Sequence, residues 1–127
     1  MEEKKNIFIN LSNHPYQKWC QDQRKAVDKL VPDAQIVDYP FPSVDSSLNE
    51  DQIIKLSEQM VTEIVALKPA AVMCQGEFGL TFCLVTMLKR IGIKTVYGCS
   101  ERKTTERQTE NGTEKVVTFA FVKFREY

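Results

Sequence analysis

Residues 70–90, AAVMCQGEFGLTFCLVTMLKR, leave this chain the fewest ways to fold. Residues 70–74 carry no polar side chain, as a strand covered on both faces of a parallel sheet requires. Gln75, Gly76 and Glu77 break the run, and Phe78, Phe82, Val85 and Leu88 then recur at helical spacing until Gly92. The stretch predicts a strand, a glycine turn and a helix, with Phe78 and Phe82 read first as core residues. A helix that starts this way turns free N–H groups and the positive end of its dipole toward the carboxyl edge of the sheet, where an anion can sit.

The flanking segments repeat the alternation. Residues 6–11 (NIFINL) predict the first strand, and Ser12, Asn13, His14 and Pro15 offer a cap and a first helical turn. A helix is expected over residues 15–30, with Trp19, Ala26, Val27 and Leu30 inward. Residues 35–38 predict a second strand, which runs into Tyr39, Pro40, Phe41 and Pro42, where the prolines forbid helix. Ser46, Ser47 or Asn49 caps a helix expected over residues 48–67, with Ile53, Leu56, Met60, Ile64 and Leu67 in phase. Residues 93–99 predict a fourth strand opening into a loop of Ser100, Glu101, Arg102 and Lys103. Residues 104–109 and 115–124 predict a hairpin turning at Asn111-Gly112, with apolar residues on both its faces. Such a hairpin is either covered on two sides or makes a dimer contact.

This order implies an α/β domain: a Rossmann-like three-layer sandwich with a mostly parallel sheet over residues 1–100 and a C-terminal β-hairpin over residues 101–127. Ligands in such sheets bind outside the carboxyl ends of the strands, where the strand order reverses. The candidate site residues are therefore Ser12, Asn13 and His14, Tyr39 and Phe41, Gln75, Gly76, Glu77 and Phe78, and Ser100, Arg102 and Lys103.

Composition narrows the chemistry. A chain of 127 residues, 43% hydrophobic, suits one domain. Lys+Arg and Asp+Glu each total 17, which argues against a grip on long nucleic acid by bulk charge. Residues 1–10 have no signal-type apolar core, and no apolar run is long enough to span a bilayer, so a cytoplasmic protein with no membrane partner is expected. Cys20, Cys74, Cys83 and Cys99 form no CxxC pair and read as buried free thiols of a reducing compartment. With His14 the only histidine, no metal site is expected, and without GxGxxG or GxxxxGK[ST] no dinucleotide or P-loop cofactor is either.

Hydroxyls, amides, a glycine turn, aromatics and two cations at one sheet edge suit phosphates and planar bases. The simplest catalysis for such a set is metal-independent cleavage of an RNA phosphodiester by its own 2′-hydroxyl, with His14 as base and Lys103 or Arg102 as charge stabiliser. Acyl transfer through Cys74 or Cys99 with His14 is a weaker candidate, because both thiols lie in strand-like runs.

The first strand ending in Ser12 with a short polar loop, and the later strand running into Gln75-Gly76-Glu77-Phe78-Gly79-Leu80-Thr81, resemble the CRISPR-associated Rossmann-fold domains and the small ring nucleases of type III CRISPR systems. The resemblance covers about residues 6–103 and implies a homodimer that binds a cyclic oligoadenylate, commonly cyclic tetra-adenylate, across the subunit boundary. Some such proteins cleave the ring, and others sense or sequester it. By position, Ser12 and Asn13 match the polar loop, and Gln75, Gly76, Glu77 and Thr81 match the ligand cradle. Glu77 departs from the glycine-glycine-threonine run common there, which implies that it meets a ribose hydroxyl or a base edge. The chain ends with the hairpin, so no fused effector is expected. Two rivals stand beside this function: a protein-interaction module with an apolar patch around Phe119 and Phe121, and a small nucleoside or nucleotide hydrolase or transferase with Glu77 as nucleophile or base.

Overall fold

A computed structural model describes residues 6–127; the charged stretch at residues 1–5, and the reading made of it, lie outside the described residues. Five strands form one sheet in the order β2-β1-β3-β4-β5: β1 (Ile7–Ser12), β2 (Gln35–Pro40), β3 (Ala71–Cys74), β4 (Lys94–Thr109) and β5 (Gly112–Glu126). The first four run parallel and β5 pairs antiparallel to β4, giving an α/β protein with a mostly parallel sheet and a C-terminal antiparallel pair. The helices are α1 (Gln21–Leu30), α2 (Glu50–Ala66) and α3 (Phe78–Arg90).

The two-residue period of β1 divides the core in two. Ile9 and Leu11 pack with Val72, Cys74, Met60 and Ile64 of α2, and Leu80, Leu84 and Leu88 of α3. Phe8 packs on the other side with Ala71, Met73, Val96, Trp19 and Val27 of α1. Asn49 begins α2 with a capping box: it accepts the Gln52 N–H at 3.0 Å, and its own N–H donates to Gln52 Oε1 at 2.9 Å.

Four expectations need correction. The helix over residues 15–30 is broken: Tyr16–Lys18 is a single 3-10 turn, and Trp19 and Cys20 are extended (ψ 143° and 163°) before α1 begins. The break lets the Trp19 indole turn inward onto Phe8, with ring centroids 6.2 Å apart. The phase of α3 is also different. Its buried face is Leu80, Leu84 and Leu88, whereas Phe78 and Phe82 are 93% and 72% exposed. Two sets of apolar residues four apart run along this helix, and only one of them can face the sheet.

The fourth strand does not open into a loop at Ser100. It continues through residues 100–103 into the first strand of the hairpin, making β4 sixteen residues long. Residues 99–109 contain no Gly, Pro, Asn or Asp, the residues that most strongly favour a turn. The turn falls at Glu110 and Asn111, with Gly112 at φ 118°, as the Asn-Gly signal predicts. Finally, the hairpin is not covered on two sides: residues 100–115 and Val117, Thr118 and Phe119 are exposed, and the pair projects from the sheet as an arm.

A β-bulge directs that arm. Cys99 pairs with Lys123, but Ser100 pairs with Phe121, leaving Val122 as the extra residue on β5. Phe121 is thereby carried onto the face of Phe124, 5.1 Å away between centroids, and Phe119 follows it.

Candidate functional site

The strand order reverses between β1 and β3, and the carboxyl ends of these two strands flank a cleft of about 670 Å³. Ser12, Asn13 and His14 line it from the loop after β1, Gln75 from the end of β3, and Gly98 and Ser100 from β4. Lys18, Cys20 and Gln23 supply the wall before and on α1, and Phe119 and Phe121 of the arm supply the opposite one. None of the lining residues is acidic.

A buried polar network holds the first loop. Asn10, 1% exposed, donates through Nδ2 to the His14 carbonyl at 2.8 Å and to Asp38 Oδ1 at 2.9 Å, and accepts the Ser12 hydroxyl at 2.6 Å. The Trp19 indole N–H also donates to the His14 carbonyl (2.8 Å), and the Tyr16 N–H donates to Asp38 (3.2 Å). The Ser12 hydroxyl accepts the His14 N–H at 3.2 Å. Ser12 therefore neither caps a helix nor offers a free hydroxyl; it braces the loop that presents Asn13 and the exposed His14 imidazole. Asn10 and Asp38 went unnoticed in the sequence, although a lone amide inside the apolar run NIFINL is a signal, because a buried polar side chain needs partners.

The other wall is sewn across a gap. The ladder between β3 and β4 spans only Ala71 to Met73, and beyond it the strands diverge. Gln75 Oε1 accepts the Gly98 N–H at 3.0 Å, and the Tyr127 hydroxyl donates to the Cys74 carbonyl at 2.7 Å. Burial raises the Tyr127 phenol to about 12, with the Cys74 and Tyr97 groups adding to the shift. The Cys74 thiol is pushed up to about 12 by burial, so it stays protonated near neutrality and the acyl-transfer candidate through it lapses. All four cysteines are free, but they are not all buried as expected: Cys20 is exposed, and Cys83 and Cys99 are partly so.

The glycine turn differs most from expectation. Glu77 caps α3 with its own carboxylate, accepting the Gly79 N–H at 2.5 Å and the Leu80 N–H at 3.3 Å. The anion position at the helix start is thus filled from within the chain, and Glu77 is held there rather than poised as nucleophile or base. Gly76, Glu77, Phe78 and Thr81 do not line the cleft. Gly76 is glycine for a packing reason, since a Cβ there would lie 2.5 Å from three atoms of the buried Phe41 ring. Gly76→Ala is expected to destabilise the protein by about 1–3 kcal/mol in urea unfolding through overpacking. Tyr39 and Phe41 pack with the α2–α3 core cluster and take no part in the cleft.

Strand register separates the two expected cations. Arg102 pairs with Phe119 and shares the cleft-side face of the arm, whereas Lys103 pairs with Thr118 on the opposite face. Neither lines the cleft. Lys18, from the 3-10 turn, stands there instead. Among the described residues no group of three or more His, Cys, Asp or Glu side chains is placed to hold a metal, and no helix is long and apolar enough to cross a membrane.

A protein-family model with the description "Uncharacterized protein MJ1673 family" matches residues 6–125. No curated protein and no solved structure matches the chain.

Proposed function

We propose that this chain, which belongs to the uncharacterized protein MJ1673 family, is a homodimer that binds a cyclic oligoadenylate in the cytoplasm and removes it from type III CRISPR signalling. The observation that carries this reading is a cleft at the strand-order reversal with Lys18 and His14 on one side, Phe119 and Phe121 on the other, and no carboxylate in its lining. In a chain with equal numbers of acidic and basic residues, that exclusion suits a phosphate backbone, and exposed rings suit bases that stack. A cleft of about 670 Å³ is of a size to enclose one drug-sized molecule, so a ring of four nucleotides would be shared between two copies. The sheet and its helices are read here as a Rossmann-like three-layer sandwich.

If the bound ring is cut, the residues suit attack by a ribose 2′-hydroxyl on the adjacent phosphorus. His14 takes the hydroxyl proton, the 2′-oxygen bonds to phosphorus as the bond from phosphorus to the 5′-oxygen breaks, and the 5′-oxygen leaves with a proton from water, giving a 2′,3′-cyclic phosphate and a 5′-hydroxyl. Lys18 takes the charge-stabilising role expected of Lys103, which the strand register turns away. Ser12 acts by positioning His14.

The test mixes the protein with radiolabelled cyclic tetra-adenylate and cyclic hexa-adenylate without metal. A shifted, intact ring supports sequestration. A linear product bearing a 2′,3′-cyclic phosphate supports cleavage, and His14→Ala is then expected to slow it by about 10²–10⁴-fold. If neither ring is bound at micromolar protein, the proposal is wrong. One observation favours a protein-interaction module instead, the 93% and 72% exposure of Phe78 and Phe82 on α3.

A further inference from the structure

We infer that the cleft-side face of the β4–β5 arm is the surface through which two copies of this chain associate about a two-fold axis. A two-stranded ribbon is marginal in water by itself, and this one leaves Val117 and Phe119 41% and 72% exposed. Its charges are balanced: Glu101, Glu106, Glu110 and Glu114 against Arg102, Lys103, Arg107 and Lys115. Two arms can therefore meet without net repulsion.

Register orders the face. Moving outward from the cleft, its cross-strand pairs are Arg102 with Phe119, Thr104 with Val117, and Glu106 with Lys115. Lay a second arm antiparallel on this face, turned about an axis through the Thr104 and Val117 pair. Arg102 then meets the second copy's Glu106, and Phe119 meets the second copy's Lys115. The reciprocal contacts close at the same time, so the surface complements itself, as a two-fold interface must. Each arm gains a guanidinium against a carboxylate, an ammonium over an aromatic ring, and apolar cover for Val117. Laid parallel, the second copy would instead set α1, which lies on this same face at the base of the arm, against its own copy. Phe119 also lines the cleft, so the second copy's Lys115 arrives at its mouth, and the same axis brings the second copy's Gln108 over Ser100 and its turn over Gly98.

This names the partner surface for the homodimer of the proposed function and rests on that reading only in expecting a dimer. Sedimentation equilibrium of the full chain, run without nucleotide, tests the interface apart from ring binding. The unaltered protein is expected to dimerise. Arg102→Glu and Glu106→Arg are each expected to weaken the dimer at least tenfold, because each sets like charges together twice. An equimolar mixture of the two variants is expected to recover the dimer, since both contacts re-form between unlike copies. Both side chains are exposed, and circular dichroism of each variant checks that the fold is intact. An unaltered protein that stays monomeric, variants that dimerise as well as it does, or a mixture that stays monomeric would each overturn the assignment.

Discussion

Phe8→Ala is expected to lower the unfolding free energy by about 3–5 kcal/mol, read as a fall in the urea midpoint at constant slope. Phe8 is fully buried, and its ring meets Trp19 edge-on at 6.2 Å and Phe124 at 5.7 Å. Trp19 and Phe124 are themselves 6.2 Å apart, and Phe124 reaches Phe121 at 5.1 Å. This cluster joins the first strand to both walls of the cleft, so truncating Phe8 leaves a void that neither wall can fill without moving the site. Trp19 is the sole tryptophan, and its emission is expected to shift to the red in the variant while the protein is still folded. Phe82→Ala, at a residue 72% exposed, is expected to change stability by no more than about 0.5 kcal/mol. Equal losses at the two positions would show that the aromatic cluster does not hold the core.

Asn10→Ala is expected to cost about 2–4 kcal/mol and to expose residues 12–20 to proteolysis. Each of its three hydrogen bonds contributes modestly in net terms, but they share one buried side chain and all tie down one loop. With Asn10 gone, the Ser12 hydroxyl keeps only the more distant His14 carbonyl, 3.4 Å away, as an acceptor, and that carbonyl keeps only Trp19 as a strong donor. Limited proteolysis followed by mass spectrometry reads the loop directly. Unchanged cleavage together with an unchanged urea midpoint would mean that the network does not brace it.

How much of this was legible beforehand depends on what each residue was competing against. The third strand stood out because a strand buried on both faces favours apolar side chains throughout, and residues 71–74 are all apolar and all buried. The phase of α3 was misread because Phe78 and Phe82 recur four apart just as Leu80, Leu84 and Leu88 do, and spacing alone does not choose between the two sets; packing against the sheet was decided by the leucines. Ser12, Asn13, His14, Gln75 and Ser100 were found because parallel strands bring their carboxyl ends to one edge. Lys18 and Gln23 were missed, since the break at Trp19 that turns this segment toward the cleft is set by tertiary contacts of the indole. Phe119 and Phe121 had been weighed only as a surface for protein partners. Their place in the cleft depends on a bulge that no local turn residue announces.

The bulge at Val122 also bears on how this arm can vary in length over evolution. Because side chains alternate, loss of one residue from β5 between the bulge and the turn would exchange the two faces of everything farther out along the ribbon; loss of Ala120 would send Phe119 to the back while Phe121, next to the bulge, kept its place. Loss of a pair would keep the faces and only slide the register. Variation in steps of two residues would thus keep Phe119 in the cleft wall, while loss of Ala120 alone would remove it and leave Phe121 and the sheet beneath in place.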